Sequence, residues 1–195
     1  MNRNRVLVVM TILVLTLAAS AGSISGKVSG ATGESVVYVD TVAGKTFPAP
    51  AEHPVIDQKG LLFQPHINVV LVGTTVDFLN SDKVAHNVFW PSLMQNGKKL
   101  PGKNLGTWPT GEKRSFKFEQ TGVASLLCNV HPEMAAYIVV VPTPYHAVTD
   151  KSGNYKIDNV PDGAYNVVAW HEGAKSSTKA VTVAGDTKAD LTVSK

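Results

Sequence analysis

The chain has 195 residues, a formal charge of +3 and 44% hydrophobic residues, with 16 glycines, 11 prolines and a single cysteine. Two of the positive charges, Arg3 and Arg5, precede an apolar run, and without them the charge is about +1, too weak a field to hold nucleic acid or an anionic membrane surface. One cysteine excludes an internal disulfide, so the thiol needs a chemical account of its own.

The apolar run over residues 6–19 is about 14 residues, short of the roughly 20 that a membrane-spanning helix needs. It ends in Ala19-Ser20-Ala21, a small-residue cleavage pattern. Residues 1–21 therefore read as a signal peptide and the protein as periplasmic or secreted, with membrane contact only if this segment stays uncleaved. In the rest, frequent Gly and Pro and the lack of long helical periodicity predict an all-β chain.

Residues 24–28 and 35–39 are rich in β-branched side chains and flank a Gly-bearing turn, which predicts an N-terminal hairpin. The stretch 47–50, Phe-Pro-Ala-Pro, then reads as a linker. Strands follow within 61–72 and at 76–80, meeting at Gly73-Thr74-Thr75, with Val76 and Phe78 on one face. The span 91–110 is rich in Gly, Pro, Asn and Lys and predicts a long loop. Residues 115–119 alternate strictly, and apolar runs at 123–127 and 135–141 predict two more strands. Beyond Pro142-Thr143-Pro144 a second unit has strands expected at 154–157, 164–170, 179–183 and 189–193, separated by turn-forming Gly dipeptides. The expected division is 1–21 signal peptide, 22–52 hairpin and linker, 53–142 a first β-sandwich and 143–195 a second.

Between the strands at 123–127 and 135–141 lies Cys128-Asn129-Val130-His131-Pro132-Glu133-Met134. It places a thiolate, an imidazole and a thioether on one short loop, and His86 offers a second imidazole from a separate segment. Two His, one Cys and a weak axial Met form the ligand set of a blue-copper electron-transfer site. Asn87, directly after His86, is placed to tie that segment to the Cys128 loop. His53, His66, His146 and His171 have no partners at ligand spacing and read as surface or strand-end residues. A cysteine and histidine pair also occurs in thiol hydrolases, but nothing else in the chain supports one.

The run Gly73-Thr74-Thr75-Val76-Asp77-Phe78-Leu79-Asn80 with His86-Asn87-Val88 resembles the first-ligand region of plastocyanin- and azurin-type cupredoxins. Cys-x-x-His-x-x-Met resembles the short ligand loop of their amicyanin branch. The resemblance covers roughly residues 61–141 and implies a Greek-key β-sandwich holding one type 1 copper ion, with His86, Cys128 and His131 equatorial and Met134 axial. It also implies that Leu127 stands where a copper nitrite reductase carries a further histidine, so enzyme chemistry is not expected. Residues 148–157 and 160–170 resemble the carboxypeptidase-regulatory-like, transthyretin-like β-sandwich module, which begins with strands like 24–28 and 36–39. The resemblance thus implies a cupredoxin inserted into, or packed flush against, a module assembled from both chain ends, with residues 22–52 part of it. The competing reading gives the N-terminal hairpin to the cupredoxin and leaves a short C-terminal appendage.

These readings converge on an exported carrier of single electrons. Its expected partner is a redox protein, such as a c-type cytochrome or a membrane or periplasmic oxidoreductase. The alternative is a copper storage or delivery protein, and a weaker one an adhesion or carbohydrate-binding protein with a vestigial site. Electrons are expected to pass at His131, through a patch of Phe89, Trp90, Pro91 and Leu93 rimmed by Lys98, Lys99 and Lys103.

Overall fold

The β-branched and aromatic runs form seventeen strands and, among the described residues 21–195 of the computed structural model, no helix. The expected signal peptide lies, apart from Ala21, outside those residues. The chain opens with Ala21–Ser29 (β1) and Ser35–Val39 (β2). It continues through Val55–Gln58 (β3), Phe63–Gln64 (β4), Ile67–Leu71 (β5), Thr75–Asn80 (β6), His86–Gln95 (β7), Lys98–Trp108 (β8), Lys113–Lys117 (β9), Gly122–Leu127 (β10) and Ala135–Val141 (β11). It closes with His146–Val148 (β12), Asn154–Pro161 (β13), Gly163–His171 (β14), Ser177–Val183 (β15), Thr187–Lys188 (β16) and Leu191–Thr192 (β17).

The middle of the chain makes one sandwich from two sheets, in the orders β5-β11-β10-β7-β8 and β4-β3-β6-β9. Its core contains Phe78, Trp108, Leu126 and Ile138, all fully buried, as the two-residue periodicity of their strands requires. Gly73, at φ +89°, turns the chain from β5 into β6, but these strands belong to opposite sheets and do not pair.

The first two strands are not a hairpin. β1 pairs with β13, setting Ile24 opposite Ile157, whereas β2 pairs with β14 in the facing sheet, setting Val37 opposite Ala169. The cause lies in the side chains of β2: Val36, Val37 and Val39 are all fully buried, so both faces of this strand need cover that a two-stranded hairpin cannot supply. The chain crosses between sheets through a turn in which Gly30 has φ +93°, and a Cβ there would fall 1.9 Å from the Val193 carbonyl oxygen. β1 lies between β13 on one side and the parallel β16 and β17 on the other, so both chain ends build one second sandwich.

The span expected as a long loop is a second departure. Residues 86–108 form the β7–β8 hairpin, turning at Asn96 and Gly97, whose φ values of +47° and +77° suit a two-residue hairpin turn. Pro91, Pro101 and Gly102 mask its alternation. β8 pairs only with β7, and an edge strand accommodates proline without losing a ladder bond.

The two sandwiches share a small apolar cluster, Val36 of β2 with Val139 and Val141 of β11, flanked by Tyr38, Ile67, Val69, Val123 and Trp170.

Candidate metal centre

Three strands deliver the site. β7 begins at His86, β10 ends just before Cys128, and β11 begins just after Met134, so these three are anchored at strand ends while His131 lies between them on the loop. Leu127 and Ala135 pair across β10 and β11 and close the base of the seven-residue loop that carries Cys128, His131 and Met134. Inside the loop the Met134 N–H donates to the His131 carbonyl at 3.0 Å, tightening it into a turn.

The imidazole of His86, the thiol of Cys128 and the imidazole of His131 present one donor atom each within 4.8 Å of one another. His86 Nδ1 lies 3.0 Å from His131 Nδ1 and 4.0 Å from Cys128 Sγ. His86 and Met134 are fully buried, Cys128 is 3% exposed, and His131 is the partly exposed member. Cys128 and Met134 lie in the same core cluster.

This donor set fits a soft, redox-active metal ion. Two imidazole lone pairs and a thiolate converging out of water repel one another and are costly to bury unless a cation lies among them. Thiolate and imidazole together suit copper or zinc, and an added thioether favours copper.

The surrounding bonds fix each donor. Asp82 Oδ2 accepts from His86 Nε2 at 2.9 Å, which leaves Nδ1 as the nitrogen facing the cluster. Asp82 is held in turn by the N–H groups of Gly60 and Leu61 at 2.6 and 2.9 Å. The Leu61 N–H bond, ahead of those from Gly60 and His86, keeps the Asp82 carboxyl below the usual carboxylate range despite its burial. The backbone N–H of Asn87 points at Cys128 Sγ at 3.4 Å. Asn87 Oδ1 accepts from the Asn129 N–H at 3.3 Å, and its Nδ2 donates to Asn104 Oδ1 and the Gly106 carbonyl at 2.9 and 2.7 Å. The tie expected of Asn87 thus runs to the backbone of Asn129, so the side chain at 129 is immaterial to it. Beneath this, fully buried Gln58 donates to the Asn87 carbonyl at 3.2 Å.

Asp82 and Gln58 went unflagged in the sequence. For Asp82 the signal is its position four residues before His86. For Gln58 there is none, since β3 reaches the site only through the sandwich. Of the other histidines, His53 bonds Asp77, His66 bonds Glu172 and His171 bonds the Thr32 carbonyl.

The expected apolar patch is placed differently. Trp90 and Leu93 are 3% and 7% exposed, and Trp90 packs on Phe116 and Phe118 at centroid distances of 4.9 and 5.3 Å, as core side chains do. Lys98 and Lys99 stand at the turn end of the β7–β8 hairpin, while His86 is at its opposite end beside Trp108. The exposed apolar residues on the loops that meet at the site are Leu61, Leu62, Val84 and Val130, 40–55% exposed, with Lys59 and Lys83 beside them in the chain.

Residues 52–141 match the family of copper binding proteins of the plastocyanin/azurin type, and residues 132–194 match the carboxypeptidase regulatory-like domain. The matches overlap on β11, and the second omits β1 and β2, the strands that complete its sheets. Among solved structures, a reduced amicyanin variant is 22% identical with a TM-score of 0.41, over 47% of this chain and 84% of its own. A purple cupredoxin from Nitrosopumilus maritimus is 28% identical with a TM-score of 0.38, over 45% of this chain and 98% of its own. No curated protein matches the chain.

Proposed function

With residues 52–141 a copper-binding domain of the plastocyanin/azurin family and residues 132–194 a carboxypeptidase regulatory-like domain, we propose that the protein is an exported carrier of single electrons with no substrate chemistry of its own. The observation that carries this reading is the convergence of His86 Nδ1, Cys128 Sγ and His131 Nδ1 in a largely buried group, on a loop that also carries the buried Met134. His86, Cys128 and His131 would hold one copper ion, with Met134 as a further, weaker ligand. Bound copper supplies one-electron chemistry, alternating between its monovalent and divalent forms.

The residues of the chain supply rigidity and insulation. Asp82 and Asn87 fix His86 and the Cys128 loop from outside, so the donors keep one arrangement through both charge states. The Asn87 N–H draws density from the Cys128 sulfur and so tunes the potential. Burial of His86, Cys128 and Met134 keeps water from the metal, while the exposed edge of His131 is the point of electron entry and exit. Leu61, Leu62, Val84 and Val130 form the apolar contact area, and Lys59 and Lys83 favour a redox partner with acidic groups at its own rim. A small area of this kind suits a brief encounter.

The test is a visible spectrum of copper-loaded protein. A strong thiolate-to-copper band is expected in the oxidised wild type and none in Cys128→Ser; a variant that kept the band would overturn the ligand assignment. Retention of copper through repeated redox cycles against a chelator supports a carrier. Its loss supports storage or delivery instead.

A further inference from the structure

Glu172 belongs to the second sandwich, in the turn after β14, yet its carboxylate is spent on the first. Oε2 lies 2.8 Å from His66 Nε2, and Oε1 accepts from the Tyr137 hydroxyl at 2.9 Å. Burial acts against the Glu172 carboxylate, but the bonds from His66 and Tyr137 outweigh it and hold its pKa below the usual range. Burial and the Glu172 charge push the Tyr137 hydroxyl up to about 12, which keeps it a donor. Glu172 stands two residues after Trp170, whose ring packs on Tyr137 at 5.2 Å and joins the apolar cluster between the sandwiches. A packed interface therefore sets where this carboxylate sits.

The contact continues toward the metal. His66 Nδ1 lies 3.2 Å from the carbonyl oxygen of Ala135, and the His66 carbonyl accepts the Tyr137 N–H at 2.8 Å. Ala135 directly follows Met134 and pairs with Leu127, the residue before Cys128. His66 thus grips the outer edge of the residue at which the ligand loop becomes strand, and Glu172 fixes the ring that does so. We infer that Glu172 is a positioning residue for the Met134 end of the loop, so that the second sandwich takes part in setting the properties of the site.

This rests on the reading of Met134 as a copper ligand. A histidine–carboxylate contact with side chains 50% and 43% exposed adds little to global stability. Its effect belongs in the site's geometry rather than in the unfolding temperature.

The experiment uses the full chain as wild type, Glu172→Ala, Glu172→Gln, Met134→Leu and the Glu172→Ala, Met134→Leu pair. In copper-loaded protein, Glu172→Ala is expected to move the thiolate-to-copper band and the reduction potential in the direction of Met134→Leu, by a smaller amount. Glu172→Gln, which keeps an acceptor oxygen, should keep both close to the wild-type values. In the Met134→Leu background Glu172→Ala should move neither, because the route is already cut. In metal-free protein the amides of residues 134–137 should exchange several-fold faster in Glu172→Ala. An unchanged spectrum, potential and exchange, with only a lower unfolding temperature, would make Glu172 a staple between sandwiches and sink the inference. A shift that persists in the Met134→Leu background would sink the route through Met134. If copper-loaded wild type shows no band, the copper reading has failed, and the exchange measurement still decides whether Glu172 holds the loop.

Discussion

At His86 the imidazole must turn Nδ1 toward Cys128 and His131, and it does so because Asp82 accepts from the opposite nitrogen. Asp82→Asn keeps the shape but loses the charge and permits the wrong ring orientation, so copper affinity should fall about 10- to 100-fold, as for other partners of metal-bound histidines. Competition against a chelator of known affinity measures this, and an unchanged constant would remove Asp82 from the site. Met134→Leu should keep copper and shift the potential, since an axial thioether tunes more than it holds; loss of all copper in that variant contradicts an axial role. That Cys128 and His131 converge with His86 is legible because one loop carries the first two and the strand pattern before His86 is distinctive. Asp82 was legible only as a spacing. Gln58 and Glu172 were not, because nothing local distinguishes an amide or a carboxylate that acts across a sandwich or between two.

Among the elements, the strands nearest the ligand loop were read closely, residues 123–127 against β10 and 135–141 against β11, since apolar runs bounded by turns leave little choice. The β7–β8 hairpin was missed because Pro91, Pro101 and Gly102 break its alternation, although Asn96-Gly97 is a strong turn signal. Gly97→Ala has open space around the new methyl but a left-handed backbone, and should cost about 1 kcal/mol. Gly122→Ala should cost more, because at φ +139° its Cβ would fall 2.6 Å from the Met94 carbonyl oxygen. Thermal unfolding of both variants checks the order. On β6, Asp77 is held below the usual carboxylate range by bonds from Lys113 first, then Ser115, with burial opposing and His53 assisting. A folded pKa below the unfolded value gives stability that is present above about pH 4 and lost as pH falls through the folded pKa. Asp77→Asn should therefore be less stable than wild type at neutral pH by about 1–3 kcal/mol. The difference should shrink on acidification below about pH 4; a gap that persisted there would mean that the charge is not what Asp77 contributes.

For the molecule as a whole, the all-β class and the two resemblances come from local patterns, and the second resemblance already points to a module built from both chain ends. Local patterns cannot choose between that reading and a short appendage, because the choice turns on pairing between residues far apart, such as Ile24 with Ile157, which no local run encodes. A fragment of residues 143–195 lacks β1 and β2, the strands between β13 and β16 and between β12 and β14. It should show no cooperative unfolding and should aggregate through its bare edges. A sharp transition from that fragment would mean that the C-terminal strands form a complete domain.

The same pairing has a consequence for biosynthesis. β1 leaves the ribosome with none of its partners made, and the first of them, β13, follows roughly 130 residues later, about 7–26 s at 5–20 residues per second. During that interval the sandwich of β3 to β11 between them can be completed, while Ile24 and the valines of β2 remain without their covering strands. What is made second can therefore close first, while the N-terminal strands gain their partners only when the C-terminal strands are made.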